Sequence, residues 1–318
     1  MTAYSAITPA PIAPPPSAER DAARTGLTLG VGAYLTWGFL PVYMKALGSV
    51  PAPEILAHRI LWSLALITIV VAAMRRWQPV VALLKAPKVL GVLAITATLI
   101  AVNWLIYIWA VNSDHVLETS LGYFINPLVN VAMGVLILRE RLRRVQAGAV
   151  GLAAVGVAVL AIAQGGIPWI ALVLAFSFAT YGLLRKMAPV DPLTGLLGET
   201  ALLAPISLGF LLWIGAAGAG SFGQTGHIDL LLIVSGLVTA APLLMFAAAG
   251  KRLPYATIGL LQFIAPTIQF LLAVLVYGEP LTDAHLITFT CIWTGLIAFA
   301  IDTWRASRIP LSVAPVQG

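Results

Sequence analysis

Apolar stretches near 20 residues recur along almost the whole chain, separated by short polar links. Ten can be read, at roughly 26–44, 54–74, 89–110, 117–138, 145–163, 168–185, 193–214, 229–249, 256–277 and 284–303. Each is about long enough to carry an α-helix once across a bilayer. The pattern predicts an all-α integral membrane fold with ten transmembrane helices. The first 24 residues are rich in Pro and Ala, Pro11, Pro14, Pro15 and Pro16 among them, and contain no apolar run. They read as a disordered arm rather than a signal peptide. The tail after Arg305 is too short and too interrupted by proline to add a crossing.

The pattern also repeats. Eight of the 22 positions in Leu121–Leu142 recur in Leu260–Leu281 at one constant offset of 139. Apolar matches carry little information here, so the weight falls on Pro127/Pro266 and Glu140/Glu279, with Phe124/Phe263 and Ile125/Ile264 beside them. The same offset pairs Gly156 with Gly295 and Asn103 with Pro242. Two copies of one unit are expected, 25–164 and 165–304, between a cytoplasmic arm (1–24) and a cytoplasmic tail (305–318). Five spans per copy is an odd number, so the second copy enters the membrane from the opposite side. The expected architecture is two inverted five-helix repeats, an arrangement suited to alternating access.

Composition strengthens the membrane reading. Only 9% of the residues are charged and 60% are hydrophobic, against about 25% charged in soluble domains. The net charge of +6 could point to nucleic acid, but its placement argues otherwise. With the N-terminus in the cytoplasm, 16 of the 18 basic residues fall on the cytoplasmic side, and only Lys45 and Arg59 on or near the outer side. Such enrichment sets orientation, and both termini are expected inside. Cys291 is the single cysteine, so no disulfide framework or thiolate metal cluster is expected.

Four segments then point to a family. They are Glu54-Ile55-Leu56-Ala57-His58-Arg59, the run from Asn103 to Asn112, the run Leu121-Gly122-Tyr123-Phe124-Ile125-Asn126-Pro127-Leu128-Val129-Asn130, and Ala175-Phe176-Ser177-Phe178. The chain resembles the RarD-type permeases of the EamA branch of the drug/metabolite transporter superfamily, from about Gly26 to Asp302. The resemblance implies paired inverted repeats, a bacterial inner-membrane location and a central solute cavity. Members of that family are linked to export of amino acids and related metabolites, and the RarD branch carries a name tied to chloramphenicol sensitivity.

No G-x-x-x-x-G-K-[ST] motif is present, so the energy source is expected to be a gradient or a partner rather than ATP. Polar residues inside spans mark the candidate path. Tyr123, Asn126 and Asn130 share a face of the fourth span, and the offset matches them to Gln262, Ala265 and Gln269 of the ninth. The two polar stripes are expected to line the cavity, although the same amides could serve as interhelical ties. Pro127 and Pro266 are expected to kink these spans and free the carbonyls of Tyr123 and Gln262. Pro41 and Pro242 are expected to bend the first and eighth.

Asn103 and Tyr107 share a face of the third span, and Trp37 roughly matches Tyr181, each being followed by glycine. Trp37, Tyr107 and Tyr181 are expected to wall the cavity. His58, Glu118 and Glu199 are the candidates for proton coupling. Asp114 and His115 lie near Glu118, but four histidines scattered over the chain do not make ligand spacing. Glu140 and Glu279 each end a span, and are expected to cap the helix that follows.

The function expected is a secondary transporter that exports small metabolites, with neutral or aromatic amino acids first. The alternatives are a permease for drugs or hydrophobic compounds and a passive channel or facilitator. No clustered carboxylates, His pair or Ser with a base is found, so no catalysis is expected. A small-molecule solute and membrane lipid are the expected partners; no cofactor, metal or nucleic acid is.

Overall fold

A computed structural model describes residues 16–138, 144–250, 252–253 and 261–307. Glu140 and the side chain of Asn130 lie outside the described residues. Among those residues every regular element is helical. In chain order they are α1 (Pro16–Gly38), α2 (Leu40–Ala46), α3 (Ala52–Ala73), α4 (Trp77–Leu84), α5 (Pro87–Asn112), α6 (Val116–Leu138), α7 (Arg144–Ala163), α8 (Trp169–Met187), α9 (Pro192–Ala216) and α10 (Gly226–Gly250). Then come α11 (Ile264–Leu271), a π-helical segment (Leu272–Val276) and α12 (Asp283–Ser307).

Five segments are long and apolar enough to cross a membrane: Asp21–Ala46, Ala52–Ala73, Pro87–Asn112, Pro192–Ala216 and Gly226–Gly250. Shorter apolar helices run over Ala147–Ala163, Trp169–Arg185, Ile264–Val276 and Asp283–Ala298. Proline at the first or second position opens α2, α3, α5 and α9, where its missing N–H costs no helical bond. Asp191 caps α9, accepting from the Thr194 N–H and, at 2.6 Å, from the Thr194 hydroxyl.

One sequence expectation changes, and one element is added. The arm was expected to be disordered through residue 24, but α1 begins at Pro16. Ser17 to Arg24 is rich in Ala and Arg, good helix formers that extend the first apolar helix once Pro16 has started it. The link after α3 holds the short helix α4. Trp77, Val81 and Leu84 are exposed on it while Leu83 is buried, and Arg75, Arg76, Lys85 and Lys88 flank it. Apolar residues at that spacing beside basic flanks suit a helix lying in a lipid interface.

The two expected copies do not form separate cores. The helix pairs with the most extensive packing join one copy to the other: α7 with α12, α6 with α8, α3 with both α9 and α10, and α1 with α10 and α11. One cluster of buried side chains draws on both, from Leu40, Tyr107 and Phe124 to Ala175, Phe289 and Leu296. Glycine sets the closest approaches. A Cβ on Gly156 would lie 3.1 Å from the Thr288 carbonyl oxygen, and one on Gly295 would lie 2.9 Å from that of Ala149. The Thr288 hydroxyl donates to the Gly156 carbonyl at 2.8 Å, so the two matched glycines sit in one α7–α12 crossing.

The prolines act unequally. The first span breaks at Phe39, with Pro41 in the first turn of α2. Helix α6 runs through Pro127 and α10 through Pro242 without interruption. The ninth span is interrupted at Gln262 and Phe263 and restarts at Ile264, which places Pro266 in the first turn of α11.

Candidate functional site

Asn103, Tyr107 and Tyr123 meet where α5 and α6 pack on α8. Asn103 is fully buried. Its amide donates to the Leu174 carbonyl (3.1 Å) and the Ser177 hydroxyl (2.9 Å), and its carbonyl accepts from the Tyr123 hydroxyl at 3.3 Å. Asn126 donates to the Ala175 carbonyl at 3.1 Å. Both asparagines therefore tie their helices to α8. The rings of Tyr107 and Tyr123 lie 5.8 Å apart, Phe178 meets Tyr123 edge-on at 6.0 Å, and Tyr181 follows Phe178 at 6.1 Å. Together they make an aromatic ladder between α5, α6 and α8. Phe178 was named in the sequence as part of a family segment but not as a cavity residue; its three-residue spacing from Tyr181 was the available signal.

The ladder ends on a buried acid. The Tyr181 hydroxyl donates to Glu199 Oε2 at 3.3 Å, and the Thr96 hydroxyl donates to Oε1 at 2.7 Å. Arg185 Nε lies 3.4 Å from the same Oε1, with the Glu199 side chain 2% exposed. Gly195 leaves room for the guanidinium, because a Cβ there would occupy its place. Glu199 is thus the centre of a four-residue cluster toward the end of the bundle where Arg76 faces Asp191 at 3.7 Å.

The opposite end is tied shut several times. Lys45 pairs with Asp114 and also lies 5.1 Å above the Tyr277 ring. That hydrogen bond and charge hold the Asp114 carboxyl below its ordinary value. Glu54 accepts from the Ser221 N–H (2.7 Å), the Ser221 hydroxyl (2.9 Å) and the Phe222 N–H (3.3 Å), and His58 stacks on Phe222 at 5.0 Å. His58 therefore faces the α9–α10 link, while Glu118 sits half-buried in the first turn of α6. His115 stacks on Trp109 at 5.6 Å. Among the described residues no three His, Cys, Asp or Glu side chains come together as metal ligands.

Glu279 corrects an expectation. It does not cap α12, the helix that follows it. Its two oxygens accept the N–H groups of Val116 and Leu117, each at 2.7 Å. The turn at Gly278 (φ 65°) swings the carboxylate across to α6, whose first N–H groups have no helical partner. Burial pushes the Glu279 carboxyl above its ordinary value, against the pull of the Leu117 and Val116 N–H groups. Nearby, the Ser120 hydroxyl donates to the Pro266 carbonyl at 2.8 Å.

Trp37 and Gln269 lie on a different interface. Trp37 clusters with Tyr34 (5.3 Å) and Phe246 (5.8 Å) between α1 and α10. Gln269 donates to the Trp37 carbonyl at 3.0 Å, while its own Oε1 is buried without a partner. Gln262 lies in the interruption before α11, half-buried. The Tyr107 hydroxyl is likewise buried and unpartnered.

Sequence reasoning placed Arg59 on or near the outer side of the membrane and did not show its burial. It is 3% exposed, on the inner face of α3. Its Nε donates to the Thr239 hydroxyl at 2.9 Å, and its guanidinium carbon sits 4.9 Å over the Trp104 ring. Nη1 is buried without a partner, and among the described residues Arg59 joins no ion pair. The available signal was its position five residues past the start of the span at 54, about 8 Å along the helix. Two surface hollows, of about 410 and 290 Å³, border α4; the second is lined in part by Asp191, and neither touches Arg59, the aromatic ladder or Glu199.

The comparisons agree with this architecture. Residues 24–162 match the EamA-like transporter family. A protein from Streptomyces exfoliatus called Protein RarD is 50% identical over 287 residues, covering 90% of this chain and 91% of its own. An uncharacterized transporter of Vibrio cholerae is 45% identical over 291 residues, covering 91% and 96%. A crystal structure of a protein 19% identical to this one shares its fold, with a TM-score of 0.60 over 90% of this chain and 100% of that one. The chain belongs to the RarD-type permeases of the EamA-like family, membrane transporters of small molecules.

Proposed function

We propose that this permease exports neutral or aromatic amino acids by alternating access, through a path between two inverted five-helix copies in the bacterial inner membrane. Both termini lie in the cytoplasm, so the Asp114 end faces outward and is closed here, and the Glu199 cluster faces inward. The helix pairings support the inversion. If each helix is exchanged for its counterpart in the other copy, α6–α8 becomes α11–α1, α5–α8 becomes α10–α1, and both pairs pack. Each half can then take up the other's contacts, which is what alternating access requires.

The observation that carries the solute path is the set of buried polar atoms left without partners beside the aromatic ladder and at α11, the Tyr107 hydroxyl and Gln269 Oε1. Such atoms are costly in a dry interior, and a solute with its own donors and acceptors would satisfy them. The ladder itself suits an apolar or aromatic side chain. Glu199 remains the strongest proton-coupling candidate, because it is buried, bonded to Tyr181 and at the inner end.

Proteoliposomes loaded with labelled leucine, phenylalanine or threonine, run with and without a pH gradient, test the reading. Saturable counterflow of at least one is expected. No saturable flux across the panel would reject amino acids as the substrate, and current without saturation would favour a channel.

A further inference from the structure

We propose that Arg59 is the solute-carboxylate receptor of this permease. This deepens the transport reading and rests on it.

An arginine held 3% exposed and unpaired is unusual, since a buried charge normally finds an opposite one. Here the surroundings orient the cation without neutralising it. Thr239 takes Nε, and the Trp104 face stabilises the plane of the guanidinium. The titratable groups that face it are the hydroxyls of Tyr107, Tyr43 and Tyr123, which are uncharged at neutral pH. The Tyr43 hydroxyl is already committed to the Leu231 carbonyl and that of Tyr123 to Asn103. The carboxylates nearer the membrane faces are engaged elsewhere, Glu54 on the α9–α10 link and Glu199 on Arg185. What remains beside Arg59 is an unpartnered Nη1 and the unpartnered Tyr107 hydroxyl.

That donor set has a definite chemistry. A planar guanidinium matches the two oxygens of a carboxylate, and a tyrosine hydroxyl adds a neutral donor. One guanidinium balances one negative charge. A phosphate dianion would stay undercompensated, and an amine without a carboxylate would meet a fixed positive charge. The Tyr107–Tyr123–Phe178 ladder starts beside this point, so a carboxylate at Arg59 would direct an attached side chain onto aromatic faces.

The test compares four molecules that share a benzyl group in wild-type proteoliposomes: phenylalanine, phenylacetate, phenethylamine and phenylalaninol. Phenylacetate is expected to compete with phenylalanine flux, and the two compounds lacking a carboxylate to compete about 10- to 100-fold more weakly. Arg59→Gln should raise KM for phenylalanine by a similar factor with less change in kcat. Tyr107→Phe, which preserves ring packing, should raise it about fivefold. If Arg59→Gln does not fold, Arg59→Lys keeps the charge and should still weaken binding about tenfold by losing the planar fork. Equal competition by phenethylamine, or an unchanged KM in a folded Arg59 variant, overturns the carboxylate assignment and leaves transport standing. Absence of saturable flux for leucine, phenylalanine and threonine alike overturns the transport reading and this assignment with it.

Discussion

The amide of Gln269 donates to the backbone carbonyl of Trp37 at 3.0 Å, the carbonyl that Pro41 leaves without its usual donor four residues on. A break in the first span and a polar side chain in the ninth therefore answer each other. Replacing Gln269 by Leu should cost about 1 kcal/mol, read as a lower melting temperature in detergent. Pro41→Ala restores an N–H for Trp37, so the same Gln269 change in that background should cost less. Strictly additive losses in the double mutant would break the link.

Glu279 gives a pH signature. Its ordinary value is 4.5 and burial raises it in the folded protein. Between those two values the folded state holds the proton more often than the unfolded chain does. The stability contribution of this group is thus complete below pH 4.5 and declines as pH rises through the raised value. Glu279→Gln should flatten that part of the melting-temperature profile. Superimposable slopes for both proteins would contradict the assignment.

Arg185 and Glu199 form a buried pair at 3.4 Å. Removing only the acid, as in Glu199→Ala, should destabilise by about 3–5 kcal/mol by stranding the guanidinium. Replacing both, as in Arg185→Met with Glu199→Leu, should recover much of that loss in chemical unfolding. If Glu199 couples protons, Glu199→Gln should also remove the response of amino-acid flux to a pH gradient.

Glycine packing is testable by position. A Cβ on Gly236 would lie 2.4 Å from the backbone carbon of Trp62, whereas nothing lies within 4 Å of one on Gly148. Gly236→Ala should therefore separate α3 from α10 at a cost of about 1–3 kcal/mol. Gly148→Ala should leave thermal stability unchanged or slightly raised, since alanine is the better helix former.

The sequence showed those features that follow from one residue's own chemistry. Apolar length located the helices, and Gly156 with Gly295 could be matched because both need a missing side chain at one crossing. Contacts set by three-dimensional neighbours were hidden. Glu279 read as a cap, but only the turn at Gly278 decides that it caps α6 rather than α12. Arg59 could be counted toward topology, but its burial depends on Thr239 and Trp104, 180 and 45 residues away in the chain. Asn103 and Asn126 were legible as polar positions in spans; that both would tie to α8 was not.

The π-helical segment Leu272–Val276 has a mechanical consequence. A π turn holds one residue more than an α turn, so this short stretch sets the angle at which Tyr277 and Glu279 leave the helix. Wound as α over the same residues, it would turn everything beyond by about one residue, roughly 100°. The carboxylate would then swing away from Val116 and Leu117, and Tyr277 away from Lys45. The latch on that side of the bundle is therefore held by one surplus residue in the coil behind it.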